Sequence, residues 1–541
     1  MLKRLWHWLA SPSPTKNEPL AAAELGAVEL PAEVRAAVMA HDLASVQHWL
    51  QRECEKRQDA AALDPLLPVL SEAGWPTSER EKLFIFAQMC AGKHPAAIER
   101  ARDFKRQWGE DADVTLIEAF CLFQCNAFDE AWQRVKALHE RSPEVENRLD
   151  FLNVAILVGR STTDSARLLY FLNRARQLAP DHPIIALNGY GIYFELGEMA
   201  AFEQIEREIA EGRYDLTEAA LALAHVALAQ GDYETGWRVH EGRYRMKEAG
   251  RYLNPALLSF PRWQGELLSG KRLLISCEQG LGDTVMMARY FPRLVDSGAE
   301  EIFIEAQAEA IPLLIYNFPD LIFLPRRHGQ LPDCRFDCWC GSMSLPYIYR
   351  TRVDDVPARE EKYLKVPPDT AAYWQGRVKA LRQRERPSIG LTWSGSRTHR
   401  TDRLRSLPAK EIFAVIANWD ADFFALQKEI PADLPENLHD VSEELLSLAD
   451  TAALIEQMDL VISVDTSAVH LAGALGKATW LLLPFRYEWR WGLTGEENPW
   501  YASIKVIRQK SPGDWPGVLQ TLAKEYWPAW RAQWQASAEL A

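Results

Sequence analysis

Residues 460–484 read LVISVDTSAVHLAGALGKATWLLLP. Two aliphatic runs, LVISV at 460–464 and TWLLLP at 479–484, flank a polar turn and a run of small residues. A short continuous apolar run bounded by turn residues is the pattern of a strand buried on both faces. Strand, turn, short helix and strand in succession make one unit of a parallel sheet with a crossover helix. Asp465, Thr466 and Ser467 open the helix, and small side chains let its N-terminus come close to a ligand. Free N–H groups and the positive dipole end there suit a phosphate, and His470, one turn in, stands within reach of a phosphate oxygen.

The same texture extends outward in both directions. Strand-like runs fall at 272–277, 301–305 and 320–324, and a second series at 388–393 and 423–427 leads into the stretch quoted above. A charged connection at 363–386, carrying a helix-like AAYWQGRVKALRQ, separates the two series. Two consecutive series of strands and helices joined by a connector predict two doubly wound lobes. Their ligands sit at the carboxyl ends of the strands, facing one another across a cleft.

Two further post-strand loops carry chemistry. CEQGLGDTVMMARYFP (277–292) runs strand, glycine-rich turn, helix. Gly280 and Gly282 allow a tight turn and close approach of a substrate, with Gln279 beside them. Asp283 stands at the mouth of the helix. A carboxylate there caps the helix, but a cap alone does not require two flanking glycines, so a general base is expected as well. LTWSGSRTHRTDRLRSLP (391–408) places Ser394, Gly395, Ser396, Arg397, His399, Arg400, Arg403 and Arg405 on one loop after a strand. In a protein of formal charge -14, such a cluster reads as an anion site able to meet charge on a leaving group.

From residue 22 to 250 the chain is rich in Ala, Leu, Glu and Arg with helical spacing of apolar residues. A recurring unit reads GKHPAAIERA from Gly92, NAFDEAWQRV from Asn126, GEMAAFEQI from Gly197 and GDYETGWRV from Gly231, with a further anchor at Gly159. Intervals of 34, 33, 38 and 34 residues between anchors match the period of tetratricopeptide helix pairs. Such pairs stack into a superhelix whose concave face holds an extended segment of another protein.

Bulk properties narrow the class. The acidic charge argues against a general nucleic-acid binder. Eight cysteines in 541 residues follow no disulfide framework, and Cys334, Cys338 and Cys340 lack paired CxxC spacing, so buried thiols in a reducing cytoplasm are expected rather than a metal site. No run of eighteen apolar residues appears. The opening MLKRLWHWLASPSP has too short an apolar part for a secretory signal, and 1–21 is expected to be a flexible tail.

Taken in order, the three loops resemble the heptosyltransferase-like glycosyltransferases, in the bacterial branch where tetratricopeptide repeats precede the transferase. PRWQGELLSGKRLLI before the first loop, ADTAALIEQMDLVISVDT within the second lobe and WRWGLTGEENPWY after it add to the likeness. The segment FRYEWRW, with Tyr487 and Glu488 ahead of the Trp pair, departs from the branch pattern. The resemblance implies an α + α/β chain: repeats at 22–250, then a GT-B transferase of two Rossmann-like lobes. The acceptor-side lobe is placed at 251–365 and the nucleotide-sugar lobe at 366–514, with a closing helix at 515–541 that packs back on the first lobe. It further implies inversion at the anomeric carbon with no metal or cofactor. Asp283 is then the base and Arg405 the cation at the leaving phosphate. Gln279, Gly280 and Gly282 form the acceptor-side loop. Ser394, Gly395, Arg403, Gln427, Asp465, Thr466, Ser467 and His470 hold the donor. Protein Ser or Thr hydroxyls are the expected acceptors, flagellin first among them. Two rivals stand beside this reading: extension of a lipid-linked or surface polysaccharide, with the repeats recruiting partners, and a non-catalytic repeat scaffold.

Overall fold

A computed structural model describes residues 30–540, apart from 58, 215–219, 247–248, 384–385, 397–401 and 487. The tail 1–21 and Arg397, His399, Arg400 and Tyr487 therefore lie outside the described residues. By its contacts the chain forms two compact units, Met1–Ile192 and Tyr193–Ala541.

The first unit is made of helix pairs, among them Thr77–Cys90 with His94–Trp108, Ala112–Gln124 with Phe128–Arg141, and Leu149–Gly159 with Ser165–Leu178. The repeat anchors have a physical cause. Gly92 (φ 71°) and Asn126 (φ 61°) take the left-handed conformation just past a helix end. The N–H of Gly92 then reaches the Met89 carbonyl at 3.0 Å and that of Lys93 the Gln88 carbonyl at 2.9 Å. Asn126 and Ala127 repeat the pattern onto Phe123 and Leu122. This double bond closes a helix C-terminus and turns the chain back. In the second unit Gly197 and Gly231 do the same, bonding Phe194 and Leu228. Gly159 works differently: an added Cβ would lie 3.2 Å from Leu168 and Trp132, so it is small in order to let helices touch.

The second unit begins with helices Met199–Ala210, Ala220–Ala229 and Tyr233–His240 and continues into two wholly parallel sheets. The first contains β1 (Arg272–Ser276), β2 (Glu301–Ala306), β3 (Ile322–Pro325) and β4 (Cys338–Gly341), in the order β3-β2-β1-β4. The second contains β5 (Ser388–Thr392), β6 (Asp422–Ala425), β7 (Leu438–His439), β8 (Leu460–Val464), β9 (Thr479–Leu483) and β10 (Ile504–Arg508), ordered β10-β9-β8-β5-β6-β7. Register pairs Leu274 with Phe303 across β1 and β2, and Leu391 with Ile462 across β5 and β8. Strands such as LVISV are buried on both faces, as their largely apolar composition favours, with the one hydroxyl, Ser463 Oγ, donating to the Val464 carbonyl at 2.7 Å. In each sheet the strand order reverses beside the first strand of the lobe, at β1/β4 and β5/β8. The loops after β1, β5 and β8 thus occupy the switch points where such sheets bind ligands.

One apolar core joins Tyr233 and Trp237 of the helices to Ile275, Tyr290, Trp489 and Trp500 of the lobes. The closing segment departs from expectation. Trp527 stacks on Trp419 with ring centroids 4.3 Å apart, Trp530 meets Trp480, and Arg531 bonds Asp420 at 2.9 Å. All these partners belong to the second lobe, because its outer face presents an aromatic surface matching the Trp-rich helix. Cys338 and Cys340 are buried in β4. Among the described residues no helix is long and apolar enough to cross a membrane.

Candidate functional site

The turn after β1 is held by its own backbone and by its neighbours. Gln279 takes a left-handed φ of 64°, a conformation costing a non-glycine residue about 1–3 kcal/mol. Its carbonyl accepts hydrogen bonds from Gln307 Nε2 at 3.2 Å and from the Arg326 guanidinium at 3.4 Å. Gly280 caps the helix Leu281–Met287, and Asp283 Oδ2 accepts the Gly280 N–H at 3.0 Å. Behind the turn, Glu278 is gripped by Arg243 from below the Tyr233–His240 helix, Nε at 2.9 Å and a terminal nitrogen at 2.6 Å. Gly341 at the end of β4 leaves room for that pair, since an added Cβ would lie 2.1 Å from the Glu278 carboxylate.

From the other lobe, β8 delivers Asp465 and the eight-residue helix Ser467–Ala474, whose N-cap Thr466 makes no side-chain cap bond. This helix packs directly on Leu281–Met287. An added Cβ on Gly282 would meet His470 Cδ2 at 2.7 Å, and one on Gly473 would meet the Tyr501 ring at 2.4 Å. Glycine at 282 is what allows the two helices to lie side by side, and glycine at 473 makes room for the Tyr501 ring. His470 fills the contact: its Nδ1 is 3.0 Å from the Tyr501 hydroxyl, its ring centroid 5.0 Å from that of Trp491, and burial pulls its pKa down to about 3. The imidazole is therefore neutral. Arg289, also buried, ties the lobes at their rear by donating to the carbonyls of Pro357 and Trp500 at 3.1 and 2.9 Å.

The loop after β5 is shaped by Gln427. Its Oε1 accepts the N–H groups of Trp393 and Ser394 at 3.0 and 3.2 Å, while its Nε2 donates to Ser394 Oγ at 2.9 Å. Gly395 donates to Ser406 Oγ at 3.1 Å and lies against Asp402 and Arg405 too closely for any Cβ. Arg405 is oriented by Asp402, Nε to Oδ1 at 3.1 Å, and Arg403 lies exposed on the same short helix, Asp402–Arg405.

These pieces converge on a cluster of charge. Arg490, 8% exposed, donates one terminal nitrogen to Asp283 across the lobes and the other to Glu488 at 3.0 Å. Gln279 Oε1 lies 3.5 Å from the same guanidinium. Asp465 is buried nearby. Burial, and then Glu488, push its carboxyl up to about 6, against the opposing fields of Arg405 and Arg490. Asp283, Asp465, His470, Arg405 and the Gln279–Gly282 turn are thus brought together. Ser394, Gly395 and Gln427 adjoin them through Arg405, Thr466 and Ser467 line the helix opening, and Arg403 points outward. Such a site offers a carboxylate, two guanidinium groups and a helix N-terminus at one place between two lobes, the set of groups an acid–base reaction on a phosphorylated ligand uses. Among the described residues no three His, Cys, Asp or Glu side chains assemble as a metal site.

No protein-family model matches the chain. Protein FlbA of Caulobacter vibrioides is 26% identical over 437 residues, covering 75% of this chain and 71% of its own. A solved glycosyl transferase family 9 protein from Veillonella parvula is 12% identical, covers 48% of this chain and 92% of its own, and superposes with a TM-score of 0.33. An O-GlcNAc transferase of Thermobaculum terrenum is 11% identical over 80% of this chain and 90% of its own, at a TM-score of 0.26. Both scores are low, and the two-lobed fold stands on the strand orders given above.

Two residues of the cluster escape a reading of the sequence, Arg490 and the brace Arg243. Arg490 sits in WRW, within a segment that reads as a departure from pattern, and its partner Asp283 is 207 positions away. The pair of tryptophans around it was the available signal. Arg243 lies in the helical half, where charged residues usually cover solvated faces.

Proposed function

We propose that the chain is a glycosyltransferase moving a sugar from a nucleotide-sugar donor to Ser or Thr hydroxyls of a protein held by the helical repeats. Flagellin is the acceptor to try first. The observation that carries this reading is the placement of Asp283. It opens a helix beside a glycine turn in one lobe and meets Arg490, Asp465 and the Ser467–Ala474 helix of the other. In the proposed step the acceptor oxygen attacks the anomeric carbon as its proton passes to Asp283. The bond from that carbon to the phosphate oxygen breaks, its electron pair leaves with the nucleotide, and the sugar inverts. Arg405, Arg490 and the helix start carry the charge that gathers on the leaving phosphate, so the reading assigns no step to a metal ion. A positioned base contributes about 10²–10⁴-fold in rate. Packing of the lobes around Arg289 and His470 supports exclusion of water, which would otherwise hydrolyse the donor.

The test incubates the full chain with flagellin and a panel of nucleotide sugars and follows the intact mass of the acceptor. Addition of one sugar mass by the native chain, lost by at least 10²-fold in Asp283→Asn, is the expected result. An acceptor that gains no mass while glycans or lipid-linked sugars do would refute the protein acceptor, and no transfer to either would refute the enzyme.

A further inference from the structure

Arg490 stands at the centre of the charged cluster with its hydrogen bonding incomplete. Its terminal nitrogens are taken by Asp283 and Glu488. Its Nε–H is buried and, among the described residues, meets no acceptor. The indole N–H of Trp489, whose ring lies 4.6 Å beneath the guanidinium carbon, is likewise buried without a partner. A buried donor left unmade carries the full cost of its desolvation, so each such group in a folded protein asks for an explanation. The Arg490 Nε–H belongs to the same guanidinium that bonds Asp283, the candidate base. An oxygen-rich anion seated against Arg490 would satisfy it.

Asp283 is placed as a base, yet one of its oxygens is engaged by Arg490 and the other by the Gly280 N–H. Each oxygen keeps a second lone pair, but a hydroxyl approaching the Oδ1 side must share that oxygen with a guanidinium already seated on it. Phosphate oxygens are strong acceptors for guanidinium and can compete with a carboxylate for it. We infer that Arg490 receives the leaving phosphate of the donor, and that donor binding draws it from Asp283 and so frees the base. This interlock rests on the glycosyl-transfer reading of the same site and fixes its order. The donor enters first and its phosphate takes the Nε–H and a terminal N–H of Arg490. Asp283 then accepts the proton of the acceptor hydroxyl as the new bond to the anomeric carbon forms. The nucleotide departs with the electron pair of the broken bond, and Arg490 returns to Asp283 once the proton is lost to solvent. Without donor the base stays engaged, so an acceptor hydroxyl is not activated in an empty site.

The interlock makes an opposite-sign prediction for two neutralising substitutions. Titration calorimetry on the full chain with ADP, UDP, GDP, dTDP and CMP first identifies a nucleotide that binds. For that nucleotide, Asp283→Asn is expected to tighten binding about tenfold, because the phosphate no longer displaces a carboxylate. Arg490→Gln is expected to weaken it about tenfold or more, the scale of one charge-assisted hydrogen bond. Tightening in Asp283→Asn cannot arise from misfolding, which protects the test should Arg490→Gln fold poorly. Unchanged or weaker binding in Asp283→Asn overturns the interlock even if transfer is observed. A native chain that binds none of the five nucleotides overturns the glycosyl-transfer reading itself, which is a separate result.

Discussion

At the scale of single residues, Asp465 carries a consequence that can be measured. Its carboxyl is held up at about 6 against an ordinary 3.8, first by burial and then by Glu488. A carboxyl whose folded pKa is raised binds its proton more tightly in the folded chain. Its contribution to stability is therefore complete below pH 3.8 and is lost as pH rises through 6. At pH 8 the charged form costs the fold about 3 kcal/mol, taking about 1.4 kcal/mol per pH unit. Asp465→Asn removes that cost and is expected to be more stable than the native chain at pH 8 by up to about 3 kcal/mol, with the gain vanishing near pH 4. Urea unfolding at the two pH values checks it, and an equal effect at both would refute the assignment. Asp283 and Asp465 are legible in the sequence because each follows an apolar run and opens a helix. Arg490 is not, because what matters about it is a partner 207 positions away.

At the scale of elements, the contact between Leu281–Met287 and Ser467–Ala474 decides how the two lobes present their helix openings. His470 is fixed from three sides, by the Tyr501 hydroxyl, by the Trp491 ring and by the absence of a side chain on Gly282. An alanine at 282 would place its Cβ 2.7 Å from an imidazole that has nowhere to go. Gly282→Ala is therefore expected to cost about 1–3 kcal/mol, the usual price of overpacking, and to lower the melting midpoint. Because the next residue is Asp283, transfer should fall more than stability alone explains. A variant as stable and as active as the native chain would show that the helices can part without loss. The apolar-rich runs of β1, β2, β3, β5, β6, β8 and β9 could be read directly from the sequence. The strands β4, β7 and β10 could not. CWCG is four residues with two cysteines, Leu438–His439 is two residues, and IKVIR carries Lys505 on an edge strand exposed at that position. Their pairing comes from the sheet already formed beside them.

At the scale of the whole molecule, the repeat pattern in the sequence hides where the two-lobed unit begins. The period runs on through Gly197 and Gly231 because these glycines close their helices with the same left-handed turn as Gly92 and Asn126. Contacts nevertheless place residues from Tyr193 onward in the compact unit of the lobes. Trp237, 2% exposed, meets Trp489 and Trp500 at ring distances of 5.2 and 6.2 Å, and Tyr233 lies in the same core. Arg243, with no exposed surface, is the counter-charge of the buried Glu278 immediately before the glycine turn. Removing one partner of a buried ion pair costs about 3–5 kcal/mol, before the lost tryptophan packing is counted. A fragment of residues 193–541 is therefore expected to unfold cooperatively and to bind whichever nucleotide the full chain binds. A fragment of residues 251–541, which starts where the repeat texture ends, leaves Glu278 unpaired and the Trp489–Trp500 face uncovered. That deficit is of the size of a domain's whole stability, and the shorter fragment should show no cooperative melting transition by circular dichroism. Equal melting of the two fragments would mean that the last helices merely lean on the lobes. A cooperative transition in the longer one alone would make them part of the two-lobed body, with Arg243 the link from a repeat-like helix to the turn that carries Asp283.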